Sequence, residues 1–261
     1  MEYDYDPFER LKSGTPSGAS PKTKLEYDGL DRRDARVENP DSALARRYDT
    51  SYVGQSELVS REQDPGKEQA YDYDSSGERQ GQATRLSGAP ASTYAGFAKD
   101  VAGSVEGIEG PGGTMAPGQR YAYDPYGELE NAREVAGQAK ENPFRFEGFY
   151  HHEAIKTYDM QARQYRPDLG RFLTQDRFES ASGDFELQSD PLTQNRYAFA
   201  GGNPVSRVEW DGHAPDFSRT DVGRVRNKGP KGGRPRAATR LKMGDTTLYD
   251  SGRRLPPTTR Q

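Results

Sequence analysis

A tyrosine–aspartate pair recurs along this chain at nearly even steps. It stands at Tyr5-Asp6, Tyr27-Asp28, Tyr48-Asp49, Tyr73-Asp74 and Tyr123-Asp124, so successive aspartates lie 22, 21, 25 and 50 residues apart. The last gap is twice the third, which puts a degenerate copy near Tyr94. A period of about 20–25 residues marks one supersecondary unit stacked on copies of itself. The contexts YDYDPFERL, YDYDSSGERQG and YAYDPYGELE indicate which unit. Tyrosine suits the half-buried, pleated face of a strand. Aspartate followed by Pro, Gly or Ser starts a turn by bonding its side chain to nearby backbone. Each copy reads as a β-hairpin whose apolar face a neighbouring copy must cover.

Composition sets how thick such a structure can be. Leu, Ile, Val and Phe together supply only 36 of 261 residues. Chains this poor in large aliphatics are disordered when their net charge is high. Here the formal net charge is only −4, and there are 16 Tyr, 29 Gly and 18 Pro. The aromatic content is not that of a disordered chain. Short Tyr-rich strands joined by Gly, Pro and Asp turns, forming a thin wall, reconcile these facts. Partial disorder around one small folded region is the rival reading.

Cysteine is absent, which excludes disulfides and thiolate-bound metals. No apolar run approaches the roughly 18 residues of a membrane span. The opening MEYDYDPFERLKSG has neither a basic n-region nor an apolar h-region, so no signal peptide is read in it. Charge is uneven. Residues 214–261 carry 12 Lys/Arg against 4 Asp, leaving a net −12 on the preceding 213 residues. The basic tail is poor in aromatics, so it offers few stacking platforms for single-stranded nucleic acid. It reads as a solvated, disordered arm.

Four segments emerge. Residues 1–76 hold degenerate repeats. Residues 77–119, rich in Gly, Ala and Ser, read as a linker or loop. Residues 120–213 hold the last repeat and a dense aromatic block. Residues 214–261 form the variable basic tail. Within the third segment, 128–141 (ELENAREVAGQAKE) reads as one short surface helix that ends before Asn142-Pro143.

The aromatic block carries ordered motifs. Asn142-Pro143-Phe144-Arg145-Phe146 opens it. Tyr158, Ala162, Arg163 and Tyr165 follow, then Gly170-Arg171-Phe172 with Asp176. Asn195, Tyr197 and Asn203-Pro204-Val205 come next, and Val208, Glu209 and Gly212 close it. This succession resembles the RHS (rearrangement hot spot) repeat-associated core, the closing segment of YD-repeat proteins such as bacterial polymorphic toxins and the C subunits of Tc toxin complexes. The Tyr-Asp units resemble the YD repeats that precede that core. Here Phe199 replaces a second tyrosine, and the usual closing Asp-Pro is Glu209-Trp210.

The resemblance implies an all-β fold: YD-type hairpins, part of a spiral shell, leading into an RHS core that plugs its end. In self-cleaving members the core acts as an intramolecular aspartyl protease. By position the site residues become Arg163, Asp176 and Glu209, with Asp211 as a substitute, and the cleaved bond becomes His213–Ala214. Arg163 and Asp176 are thirteen residues apart, as that pattern requires. The chemistry is sound in principle. Of two carboxyls held close together, one keeps its proton and the other ionises, giving an acid and a base. Glu209 adds a methylene to the expected aspartate, and an error of about 1 Å costs on the order of a hundredfold in rate. A structural reading stands beside this one, with Arg163 and Asp176 as an ion pair anchoring two strands.

The implied function is enclosing and presenting a C-terminal segment. Alternatives are a non-enzymatic cell-contact module or a truncated remnant. The implied partners are the chain's own C-terminal segment, an upstream repeat shell, an immunity protein and a toxin-complex subunit. Nucleic acid is not among them. The implied location is secreted or at the cell surface, as part of a longer chain. No cofactor or metal is expected. His151-His152-Glu153 does not read as a ligand set, because neighbours on a strand point to opposite faces. Gly110-Pro111-Gly112-Gly113 lacks the Lys-Ser/Thr of a phosphate loop.

Overall fold

The computed structural model describes residues 1–16, 22–110, 112–176, 195–209, 212, 215–216, 240–243 and 246–250. Ten strands form one antiparallel meander: β1 (Glu2–Tyr5), β2 (Leu11–Thr15), β3 (Thr23–Tyr27), β4 (Arg33–Glu38), β5 (Arg46–Tyr52), β6 (Val59–Asp64), β7 (Lys67–Tyr73), β8 (Arg79–Leu86), β9 (Thr93–Lys99) and β10 (Val105–Glu109). A second sheet follows, of β11 (Tyr150–His152), β12 (Thr157–Met160), β13 (Arg163–Arg166) and β14 (Arg171–Phe172). The described residues are nearly all β, as the repeat pattern requires.

The repeated element is an aspartate turn. At Asp6, Asp28, Asp74, Asp100 and Asp124 the carboxylate Oδ1 accepts the backbone N–H groups two and four residues on, at 2.6–3.0 Å. The residue three positions on is left-handed each time: Glu9, Asp31, Gly77, Gly103 and Gly127. Between the second and third of these, Val53 closes a longer turn onto Leu58. The turns therefore begin at 6, 28, 53, 74, 100 and 124; the first five lie along one edge of the meander, and the sixth follows β10, closed by the Tyr123–Leu129 bridge.

A tyrosine strap ties each turn to the one before it. Tyr27 Oη donates to Leu11 O at 2.8 Å, Tyr52 to Arg33 O at 2.9 Å, Tyr73 to Val59 O at 2.7 Å and Tyr123 to Val105 O at 2.9 Å. Every acceptor is the residue directly after the preceding turn. At Lys99 the ammonium takes the tyrosine's place and meets Glu78 at 3.0 Å.

Several expectations need correction. Tyr48-Asp49 is not a turn. It lies inside β5, and Asp49 pairs with Arg47 at 2.6 Å. The hidden copy sits at Lys99-Asp100 rather than near Tyr94, whose hydroxyl donates to Asp72 from within β9. Residues 77–119 are not a linker, since β8, β9 and β10 all run through them. Gly81 reflects close packing. Gly81 faces Gly96 across the strand pair, and a Cβ on Gly81 would stand 2.5 Å from Ala95 O and Tyr94 Oη. The helix expected over 128–141 is limited to α1 (Gly137–Glu141), although it does end just before Asn142. In the tail, expected to be disordered, β17 (Arg240–Met243) and β18 (Thr246–Asp250) pair as a hairpin. Most other tail residues lie outside the described ones.

A flat ten-stranded sheet would be about 43 Å wide at roughly 4.8 Å per strand. Yet the second sheet and its flanks touch both ends of it. Tyr3 of β1 donates to Ile155 O at 2.9 Å, and Val105 of β10 donates to Arg145 O at 3.0 Å. The ten strands therefore curve around the later segment, which is seated in them as a plug. One aromatic cluster fills the contact and a second fills the plug. Tyr71, Phe97, Val105 and Ile108 of the wall meet Tyr121, Phe144 and Tyr150, while Phe146, Tyr158, Tyr165, Phe172 and Phe199 pack together within the plug.

A buried polar clamp also joins wall and plug. Glu62 accepts the Tyr150 hydroxyl at 2.7 Å and pairs with Arg33 at 3.0 Å. The Arg33 guanidinium lies 3.8 Å from the Tyr150 ring centre and 3.8 Å from Asp159. His152 is buried beside Asp159 and Tyr150.

Two predictions follow from this architecture. Asp100→Ala removes the carboxylate that accepts two backbone N–H groups and should cost about 1–2 kcal/mol, whereas Asp49→Ala should stay within about 0.5 kcal/mol; urea unfolding of the two variants checks which aspartate closes a turn. Burial holds the His152 imidazole down at about 4, and burial lowers His151 as well. The unfolded chain then binds more protons than the folded one between the ordinary value of 6.5 and about 4. Stability should therefore fall as pH drops through that window. Urea midpoints across it test this, and His152→Gln should reduce the slope.

Candidate functional site

The site lies where the plug's strands meet its closing segment. Arg163 opens β13, is buried, and lays its guanidinium over the Phe172 ring at 3.6 Å. A flat cation on an aromatic face is fixed in plane, so its N–H groups point in set directions. Nη1 donates to Arg196 O at 2.9 Å, and Nη2 meets Asp176 Oδ2 at 3.4 Å. Nε donates to the carbonyl of Gly212. Asp176 reaches the same place through its backbone, whose N–H bonds Arg196 O at 3.0 Å.

Gly212 is there for a steric reason. Its φ is +75°, and a Cβ would overlap the Met160 carbonyl oxygen at the end of β12. Only glycine brings the closing backbone this near to Arg163 without strain.

Glu209 belongs to β15 (Val208–Glu209), which pairs with β16 (Pro215–Asp216). Its side chain is buried, and Oε1 accepts the Ala200 N–H at 3.0 Å. Its own backbone N–H donates to Glu147 Oε2 at 3.2 Å. Ala200 and Glu147 both have left-handed backbones, with φ of 48° and 49°. Glu147 is itself held by Ser104, whose Oγ accepts the Glu147 N–H at 3.1 Å.

The structure thus joins Arg163 to Asp176 and to the carbonyl of Gly212, one residue before the expected cleavage bond. Glu209 is buried in the separate β15–β16 pair, held by Ala200 and Glu147. Asp211, His213 and Ala214 lie outside the described residues. Glu147, Ser104 and Ala200 escaped the sequence reading. Nothing in Phe146-Glu147-Gly148 announces a partner 62 residues away. The two histidines do face opposite ways. His151 stacks on Tyr158 and meets Arg145, while His152 turns toward Asp159. Glu153 is held well below the carboxylate range, first by its hydrogen bond to His151 and then by Arg145 and Lys156. Among the described residues no group of three His, Asp or Glu is placed to hold a metal. No helix there is long and apolar enough to cross a membrane.

Gly212→Ala should cost about 1–3 kcal/mol through its left-handed backbone and the clash with Met160. Urea unfolding measures the cost. The Arg163–Gly212 bond is disproved as a constraint if that substitution is silent.

No protein-family model matches the chain. In curated proteins, 94 residues are 35% identical to the tRNA nuclease WapA of Bacillus subtilis strain 168, covering 36% of this chain and 4% of WapA. A stretch of 95 residues is 33% identical to salivary gland surface protein 1 of Aedes aegypti, covering 35% of this chain and 2% of that protein. Among solved structures, the TcdB2-TccC3 crystal structure lacking the hypervariable C-terminal region superposes with a TM-score of 0.57. The match is at 16% identity over 80% of this chain and 10% of the other. The Photorhabdus luminescens Tc holotoxin pore with a mutated TccC3 gives 0.58 at 16% identity, over 83% of this chain and 10% of the other. The chain thus spans a tenth of the length of these structures and a few per cent of the curated relatives.

Proposed function

We propose that this chain, which belongs to the RHS/YD-repeat group of toxin-related proteins, closes the end of a repeat shell and presents a C-terminal segment. The same reading makes the plug self-cleaving at the His213–Ala214 bond. One observation carries it: the buried Arg163 guanidinium bonds both Asp176 and the carbonyl of Gly212, next to that bond. The curved wall around a plug supports the enclosing role.

The chemistry is hydrolysis by two carboxyls. Asp176, ion-paired with Arg163, is the base and takes a proton from water. The water oxygen attacks the His213 carbonyl carbon while protonated Glu209 donates to the carbonyl oxygen. Collapse of the tetrahedral species breaks the C–N bond: the Ala214 nitrogen leaves with the proton that Asp176 took, and the proton on the former carbonyl oxygen returns to Glu209. A bond carried on the same chain starts beside its attackers, which removes much of the entropic barrier. The upstream shell, a toxin-complex subunit and an immunity protein are the partners this role calls for. Export or surface display on a longer chain is the corresponding location.

Intact mass of the freshly expressed chain and of the chain held at neutral pH tests the reading. A fragment ending at His213 is expected, and Asp176→Asn should abolish it. A single intact mass over days would leave Arg163 and Asp176 as an anchor within a structural plug.

A further inference from the structure

Two non-glycine residues of the plug hold left-handed backbones and both grip Glu209. Ala200 gives its N–H to the Glu209 carboxylate, and Glu147 gives its carboxylate to the Glu209 N–H. Such conformations are costly and persist where surrounding structure imposes them. For Glu147 the imposing contact is visible, since Ser104 of the wall's fourth aspartate turn accepts its N–H. Ser104 is in turn fixed by its own N–H on Asp100 at 2.9 Å. A chain of bonds therefore runs from wall turn to Ser104 to Glu147 to Glu209.

We propose that Glu147 is a positioning residue of the cleavage site, setting where the Glu209 carboxyl stands by holding the Glu209 backbone. The proposal rests on the self-cleavage reading above and adds a residue to it. The reason lies in side-chain length. Glutamate has one more rotatable bond than aspartate, so its carboxyl wanders unless both its head and its backbone are held. Ala200 holds the head and Glu147 the backbone. The arrangement also makes the geometry of the site depend on the plug being seated, because Ser104 belongs to the wall. Glu147 does not touch the bond being cleaved.

Cleavage of the full chain should be followed by intact mass for the unsubstituted protein, Glu147→Ala and Glu147→Gln, with amide exchange read at Glu209. Alanine removes the acceptor. It should slow cleavage on the order of a hundredfold, the cost of a displacement of about 1 Å, and should speed exchange at Glu209. Glutamine keeps an acceptor oxygen and should restore cleavage to within a few-fold. An alanine variant that cleaves within twofold of the unsubstituted chain overturns the role of Glu147 alone. If alanine prevents folding, glutamine decides: a cleavage defect with unaltered exchange at Glu209 also overturns it. No fragment from the unsubstituted chain overturns the cleavage reading, and this role with it.

Discussion

The wall depends on one local interaction, an aspartate carboxylate that accepts two backbone N–H groups from the turn it begins. An ionised acceptor makes stronger bonds than a neutral one, and here both donors lie within four residues. The turn forces a left-handed residue at its fourth position. Where that residue is glycine the cost is nil, while Glu9 and Asp31 accept a penalty of about 1 kcal/mol or more. Because the same turn recurs on one edge, the hairpins emerge in register. The tyrosine straps then bond each hairpin to its predecessor through a fixed carbonyl. A wall poor in aliphatic residues is thus held by hydrogen bonds and aromatic faces.

The plug is joined to that wall by a mixed surface. Aromatic packing around Phe144 and Tyr150 supplies the nonspecific attraction. The Arg33–Glu62–Tyr150 clamp supplies register. Arg33 has a side chain only 2% exposed. A buried pair gains little net stability over apolar residues of the same size, because both charges lose their water. Breaking it is costly, however, since either partner alone would be a buried uncompensated charge. The clamp therefore favours one seating of the plug over its neighbours.

At the candidate site a single side chain organises three segments far apart in sequence. Arg163 from β13 bonds Asp176, the carbonyl of Arg196 and the carbonyl of Gly212. Its five donors in one rigid plane suit this task, and a lysine would lose the geometry. Glu147 and Ala200, both at positive φ, meet Glu209, and Gly212, also at positive φ, meets Arg163.

What the amino-acid order determined by itself is what acts over a few residues. The all-β character, the aspartate turns at 6, 28, 74 and 124, and the helix stop before Asn142 all rest on bonds of short reach. The Arg163–Asp176 pair was legible only through the resemblance of its motifs to the RHS core. Tertiary structure alone decided the rest. Asp49 has the same dipeptide as Asp28, but the pairing of β5 runs on beyond it to Tyr52, so the turn comes only at Val53. Gly81 looked like part of a linker because the Tyr94 ring that needs its space arrives from another strand. Glu147 became a partner of Glu209 only once Ser104 and the plug fixed its backbone. Such contacts join residues tens of positions apart, and no local pattern of side chains encodes them.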